Sequence, residues 1–193
     1  EISLGLVGSE MCIRDSYYNR FYFVHPDGAV QHYDKKHLFT FGGEHKRFTA
    51  GTERVVVNFR GVRILLEVCY DLRFPVWSRN LGDYDMILYV ASWPTPRVDA
   101  WSALLRARAI ENQCYVAGVN RMGTDPACEY SGGSAIIDPY GKTIAECPWS
   151  RESAVSADID MEALQAFRKK FPVLDDADPV SYTHLTLPTI CSV

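Results

Sequence analysis

Residues 62–75 read VRILLEVCYDLRFP, and this stretch decides how the chain is organised around its chemistry. The apolar run before Cys69 predicts a buried strand, and the polar residues after it predict a turn. Side chains at strand ends of α/β proteins project into the crevice where ligands usually bind. Cys69 is therefore the candidate nucleophile, although a buried cysteine more often serves as a small hydrophobic residue.

Strand-like runs recur along the middle of the chain and predict an α/β fold built on sheets. They cover residues 20–24, 29–33, 54–59, 62–68, 86–91, 115–119, 134–137 and 154–159. The run at 86–91 (MILYVA) is apolar without alternation, which is typical of a strand covered on both faces. Proline and glycine at 26–28 and 138–141 predict turns that join antiparallel strands.

Two segments predict helices. In the first, Asp99 can cap a helix that places four apolar residues on one face, namely Trp101, Leu104, Leu105 and Ala109. Residues 161–170 form the second. Strands alternating with helices predict a layered α/β protein.

The composition favours one globular domain that binds small molecules. The chain has 193 residues, of which 47% are hydrophobic and 23% charged. A net charge of -4 argues against a nucleic-acid partner. No apolar stretch approaches the ~20 residues of a membrane helix. The six cysteines include no CxxC pair, so we expect reduced thiols, no metal ribbon and a cytoplasmic location.

Three ordered motifs carry a family resemblance. They are YDKKHLF at 33–39, CYDLRFP at 69–75 and RAIENQ at 108–113. Together they resemble the nitrilase (carbon-nitrogen hydrolase) superfamily, most closely its omega-amidase branch. The resemblance implies an α-β-β-α sandwich, subunits that pair helix to helix as a homodimer, and no cofactor. It also implies hydrolysis of the terminal amide of small dicarboxylic acid monoamides such as 2-oxoglutaramate, through a cysteine thioester.

The resemblance also assigns roles to individual residues. Cys69 matches the nucleophile, Lys35 the catalytic lysine and Glu44 a supporting glutamate, while the backbone N–H of Tyr70 would face the oxyanion. We expect the Lys35 ammonium to lower the pKa of the Cys69 thiol. The general-base glutamate, which the family carries before this lysine, has no matching segment in this chain.

The resemblance extends over residues 17–178 and stops near both ends. Residues 1–16 and 179–193 match nothing in the family, and we expect them to be non-native tails. The domain at 17–178 would then be incomplete at its N-terminus.

A substrate with a distal carboxylate needs cations or several hydrogen-bond donors in its pocket. Arg73 and Arg97 are the candidates, although each could instead pair with a nearby aspartate, Asp71 or Asp99. Trp93 is expected to form an apolar pocket wall, with a purely structural core position as the alternative.

Four other interpretations stay open. His37 could serve as the base of a cysteine-histidine hydrolase. A metal cluster could use His32, His37, Glu44 and His45, but their spacing matches no common zinc signature. The substrate could be that of another carbon-nitrogen hydrolase, such as a carbamoyl-amidase or a nitrilase. The chain could also be an inactive homologue that keeps the fold without the base.

Overall fold

The computed structural model describes residues 7–12, by their backbone alone, and residues 16–178. The expected tail at 179–193 lies outside the described residues, and the domain boundary at residue 17 stays a prediction. No helix in the described part is both long and apolar enough to cross a membrane.

The first sheet has three antiparallel strands in the order β1-β2-β3. These are β1 (Val7–Cys12), β2 (Ser16–Val24) and β3 (Val30–Asp34). The predicted turn at 26–28 joins β2 to β3, and their antiparallel pairing is confirmed by the register Val24↔Val30.

The second sheet is mixed and has six strands in the order β11-β10-β7-β6-β5-β4. Its members are β4 (Val56–Phe59), β5 (Val62–Val68), β6 (Met86–Ala91), β7 (Tyr115–Asn120), β10 (Ala135–Ile137) and β11 (Thr143–Glu146). A small separate hairpin is formed by β8 (Met122–Thr124) and β9 (Glu129–Ser131). The predicted turn at 138–141 joins β10 to β11, which pair antiparallel as expected.

The strands β5, β6 and β7 are mutually parallel, with Val68 opposite Val90 and Ala91 opposite Asn120. Their carboxyl ends therefore meet at one edge of the sheet. The residues that directly follow them are Cys69, Ser92 and Arg121. This edge brings the predicted nucleophile beside two other chain segments.

The strand β6 lies at the centre and is covered on both faces, as its unbroken apolar sequence predicts. Met86, Leu88 and Val90 face a core shared with the first sheet. Ile87 and Tyr89 face a second core that contains the helix residues Trp101 and Leu105. The result is a mixed α/β architecture of two facing sheets with a helix on the outer face of the larger one.

The helices are α1 (Pro75–Ser78), α2 (Val98–Asn112) and α3 (Met161–Lys170), and the bounds predicted for α3 are confirmed. The predicted cap of α2 is wrong. Arg97 occupies the N-cap position without a side-chain cap bond, and Asp99 lies inside the first turn. A carboxylate there still favours the positive end of the helix dipole.

The strand predicted at 154–159 is also wrong. These residues have no regular secondary structure, and four of the six are exposed. The alternation in AVSADI resembles a half-buried strand, but the described sheet ends at β11, so the segment has no pairing partner.

Candidate active site

Cys69 begins a 3-10 turn, Cys69–Arg73, immediately after β5. Its φ of 48° lies in the left-handed region, which is unusual for a residue other than glycine. The side chain is partly exposed, and Sγ lies 3.8 Å from the Ser92 carbonyl oxygen that follows β6. The sharp turn thus presents the thiol at the carboxyl edge of the parallel strands.

The thiol lines a cleft of about 610 Å³ at that edge. The cleft brings together all seven residues predicted for the site, Lys35, Glu44, Cys69, Tyr70, Arg73, Trp93 and Arg97. Cavities of this size hold small organic molecules. No group of three His, Cys, Asp or Glu side chains in the described part of the chain could hold a metal ion.

Lys35 directly follows β3 and reaches the cleft from the first sheet. Its Nζ donates to Glu44 Oε2 at 2.7 Å and to Oε1 at 3.0 Å. Glu44 also accepts hydrogen bonds from the Asn19 side-chain amide at 2.7 Å and from the Phe39 backbone N–H. The pair is therefore held in one geometry by two further donors.

These contacts determine the ionisation of Glu44. Burial alone would raise the pKa of this carboxyl. The charge and hydrogen bonds of Lys35, together with the donors from Phe39 and Asn19, outweigh burial and hold the pKa below its usual range. Glu44 is ionised at neutral pH.

The Lys35 charge lowers the pKa of the Cys69 thiol, as predicted, but it does not set the net direction of the shift. Burial raises the pKa of the Cys69 thiol, and this effect exceeds the lowering that the Lys35 charge and the Ser92 carbonyl contact produce. The charges of Glu44 and Asp71 raise it further. The thiol is consequently protonated at rest and needs a proton acceptor before it attacks.

The strand β5, which directly precedes Cys69, contains one buried acid on its helix-facing side. Glu67 is fully buried and accepts a hydrogen bond from Ser78 Oγ at 2.9 Å, which in turn lies 3.1 Å from the Tyr89 hydroxyl. Burial and then the charge of Asp71 raise the pKa of Glu67 to about 8. The protonated form therefore predominates at neutral pH.

The predicted substrate-binding residues lie along the cleft without the carboxylate partners considered for them. Arg73 is exposed and its guanidinium lies 4.9 Å from the centre of the Trp93 ring. Arg97 lies 5.4 Å from the ring of Phe39. Neither guanidinium pairs with a carboxylate in the described part of the chain, so both can reach a ligand.

Trp93 satisfies both interpretations offered for it. The side chain is almost fully buried, packs 5.5 Å from the ring of Trp101, and also lines the cleft. Its indole N–H donates to the Arg97 carbonyl at 2.7 Å. The ring is thus a core residue whose one edge forms a cleft wall.

His37, the alternative base, is absent from the cleft lining. Its ring stacks on Phe74 at 3.8 Å and contacts the buried carboxylate of Asp71 at 2.8 Å. This position fits a hydrogen-bonded structural residue better than a proton carrier for Cys69.

Among the cleft residues that the sequence did not predict are Asn19, Arg121, Cys128 and Tyr130. Arg121 directly follows β7, so the strand-end argument applied to Cys69 could have found it. Its Nη1 lies 3.8 Å from Asp125 Oδ2, and its guanidinium lies 4.3 Å from the Tyr130 ring. Asn19 lies in the middle of β2, where the sequence contains no signal for a site.

The sequence and the fold agree with known proteins. The family model described as carbon-nitrogen hydrolase matches residues 1–169. The chain belongs to the carbon-nitrogen hydrolase family. Among its relatives, omega-amidase YafV of Escherichia coli K12 is 55% identical over 161 residues, which are 83% of this chain and 63% of the relative. The chain thus spans about 63% of that relative's length.

A second relative, the 2-oxoglutaramate amidase of Bacillus subtilis, is 41% identical over 82% of this chain and 62% of its own length. The solved structure of XC1258 from Xanthomonas campestris is described as a CN-hydrolase superfamily protein with an arsenic adduct in its active site. It is 46% identical with a TM-score of 0.86, over 90% of this chain and 69% of that one. Nit3 of Saccharomyces cerevisiae has a TM-score of 0.81 at 26% identity, over 89% and 64%.

Proposed function

We propose that this protein is an omega-amidase that hydrolyses the terminal amide of small dicarboxylic acid monoamides such as 2-oxoglutaramate. The observation that carries the proposal is the placement of Cys69 in one cleft with the buried Lys35–Glu44 pair and with three arginines, Arg73, Arg97 and Arg121. The names of the relatives from E. coli and B. subtilis support the same reaction and substrate class.

The reaction starts when the Cys69 thiolate attacks the amide carbon. The developing oxyanion is stabilised by the Lys35 ammonium and the Tyr70 backbone N–H, donors of a kind that each contribute ~3 kcal/mol. The C–N bond breaks, ammonia leaves with the thiol proton, and a thioester remains on Cys69. Water then cleaves the thioester, which releases the acid and restores the thiol.

Proton transfer requires a carboxylate other than Glu44. Glu44 is the only carboxylate among the described cleft residues, and both its oxygens are occupied by Lys35 and other donors. The family resemblance assigns this task to a glutamate that precedes the lysine. Because the thiol is protonated at rest, turnover depends on that base.

Substrate selection is assigned to the arginines. A dicarboxylic acid monoamide has one reacting amide and one distal carboxylate, and guanidinium groups bind carboxylates with paired hydrogen bonds. Glu44 is neutralised by Lys35, so the cleft has an excess of positive charge. Apolar or neutral amides lack the group that would use this charge.

The test is an ammonia-release assay on the full protein that carries this sequence. The substrates are 2-oxoglutaramate, a carbamoyl amino acid and a short nitrile, and the Cys69→Ala variant is the control. We expect kcat/KM for 2-oxoglutaramate to exceed the others by at least about 10-fold, as a single charge-assisted contact provides. Preference for the carbamoyl substrate or the nitrile would support the alternative hydrolases. Alkylation of Cys69 without ammonia release from any substrate would indicate an inactive homologue.

We also propose that the protein forms a homodimer in the cytoplasm. Exposed apolar side chains around α2 and α3, namely Ile110, Tyr140 and Phe171, support helix-to-helix pairing. Cys69, Cys114, Cys128 and Cys147 are free thiols, which fits a reducing compartment. Sedimentation analysis that finds only monomer at micromolar concentration would rule out the dimer.

A further inference from the structure

Asp71 is a buried carboxylate two residues after the nucleophile. It is fully inaccessible and is absent from the cleft lining. From the sequence, Asp71 is expected only as an ion-pair partner of Arg73, but in the structure the Asp71 carboxylate bonds other residues. Asp71 is therefore close to the site in sequence without lining the cleft.

The two carboxylate oxygens join the turn to the loop that carries Lys35. Oδ2 accepts from the Val68 backbone N–H at 3.1 Å and from the Tyr33 hydroxyl at 2.9 Å. Oδ1 accepts from the His37 backbone N–H at 2.8 Å and lies 2.8 Å from His37 Nδ1. Val68 precedes the nucleophile, and Tyr33 and His37 flank Lys35 by two residues on each side.

The donors are themselves held in place. The Tyr33 hydroxyl accepts from the Trp77 indole N–H at 3.0 Å and from the Lys36 backbone N–H at 3.1 Å. The His37 ring stacks on Phe74 with planes only 8° apart. A buried carboxylate with four hydrogen-bond contacts of this kind has one low-energy position, because breaking any bond leaves a buried polar group unpaired.

We infer that Asp71 is a positioning residue: its carboxylate fixes the Lys35 ammonium relative to the Cys69 thiol by bonding both chain segments at once. The inference deepens the proposed function and rests on it for its kinetic consequence. It rests on geometry alone for the consequence at the thiol. Catalysis is sensitive to such placement, because a displacement of about 1 Å can lower the rate ~100-fold.

The test compares Asp71→Asn with the unchanged protein by two measurements, the pH dependence of Cys69 alkylation by iodoacetamide and the kcat for 2-oxoglutaramate. Lys35, Glu44 and Asp71 are the charged groups that act on the thiol. If Asp71 acted only through its charge, its removal would shift the alkylation midpoint to lower pH. The inference predicts the opposite, a higher midpoint, because the displaced Lys35 no longer favours the thiolate, and a kcat about 100-fold lower.

Two outcomes would overturn the inference. One is a lower alkylation midpoint with kcat within about 3-fold of the unchanged protein, a loss smaller than misplacement causes. The other is a lower Tm with neither quantity changed, which would assign Asp71 to stability alone. If the unchanged protein releases no ammonia, the proposed function fails, and the alkylation midpoint still decides the role of Asp71.

A second variant covers the case in which Asp71→Asn does not fold. Tyr33→Phe keeps the Asp71 charge and removes one donor to it, so we expect a higher alkylation midpoint and a kcat about 10-fold lower with KM unchanged. Unchanged values in folded Tyr33→Phe would contradict the inference. Asp138→Asn is the matched control, because Asp138 also accepts two backbone N–H bonds, from Tyr140 and Lys142, in a hairpin that does not line the cleft.

Discussion

Lys35 Nζ donates to both carboxylate oxygens of Glu44, in an ion pair whose side chains are only 4% and 11% exposed. Replacing only one residue of such a pair is costly in stability. Removal of one partner leaves the other charge buried without compensation, which costs more than the intact pair contributes.

The Glu44→Gln variant should be less stable at pH 7 by about 3 kcal/mol, since Lys35 loses its counter-charge. The folded pKa of Glu44 lies below its unfolded value. Its contribution is therefore present above the unfolded pKa and is lost as the pH falls through the folded pKa. Urea unfolding at pH 7 and at successively lower pH should show the difference between the two proteins narrowing. A difference independent of pH would contradict this account.

Glu67→Gln should have the opposite pH signature. Burial raises the folded pKa of Glu67 to about 8, so the unfolded chain loses this proton first as the pH rises. Protonated Glu67 favours the folded state most below its unfolded pKa. This contribution to stability decreases as the pH rises and is lost once the pH passes about 8. The variant, which cannot ionise, should gain stability relative to the unchanged protein between pH 5 and pH 8. Thermal melts across that range measure it, and a constant Tm difference would refute the assignment.

Lys35→Ala and His37→Ala should differ sharply in activity. Lys35 lines the cleft and in the proposed mechanism supplies the charge that stabilises the oxyanion, whereas His37 lies outside the cleft and keeps its backbone bond to Asp71 when the ring is removed. We expect Lys35→Ala to abolish ammonia release and His37→Ala to lower it by no more than about 10-fold, through the loss of one ring contact to Asp71. General bases contribute at least ~100-fold, so a loss of that size in His37→Ala with an active Lys35→Ala would reverse the roles.

Arg121→Ala should raise KM for 2-oxoglutaramate by about 10-fold if the guanidinium binds the distal carboxylate. The long 3.8 Å contact with Asp125 leaves donors of Arg121 available to a ligand. Arg106→Ala is the control, because Arg106 is exposed on α2 and is absent from the cleft lining. Equal KM values in the two variants would exclude Arg121 from substrate binding.

Gly51→Ala should disturb the site through the backbone around Lys35. A Cβ at this position would lie 2.0 Å from the Asp34 carbonyl oxygen, and the Gly51 N–H donates to the Lys35 carbonyl at 2.9 Å. We expect a loss of about 1–3 kcal/mol in the free energy of unfolding together with lower activity.

Gly82→Ala provides the comparison for Gly51→Ala. Gly82 has a positive φ of 75° and open space around its Cα, so its variant should lose about 1 kcal/mol through backbone strain and keep its activity. Urea unfolding and ammonia release measure both variants. Equal losses of activity would show that the contact with Lys35 is unimportant.

The sequence predicted the parts of the site that depend on short motifs and strand ends. Cys69, Lys35 and Glu44 come from three separate segments, and the structure brings them into one cleft. The direction of the Cys69 pKa could not be predicted, because it depends on how much water the surrounding layers exclude. The strand at 154–159 failed for a related reason, since alternation cannot show whether a sheet edge is present to pair with it.

The cleft residues that the sequence did not predict show the same limit of local sequence patterns. Asn19 contacts Glu44 across 25 positions of sequence, through the pairing of β2 with β3, and no local pattern encodes such a contact. Tyr130 reaches the cleft from a two-stranded hairpin whose strands are three residues long. The tertiary fold brings these residues to the cleft, and the pattern of apolar positions in the sequence does not predict that they lie there.

The left-handed turn at Cys69 implies a compromise between durability and reactivity. A φ of 48° costs a side-chain-bearing residue roughly 1–2 kcal/mol that glycine avoids. Glycine would thus fit this backbone better than cysteine, yet it would carry no sulfur. Selection for heat-resistant variants would therefore favour glycine at position 69, which removes the proposed nucleophile. Thermal selection on this protein thus needs a parallel activity screen.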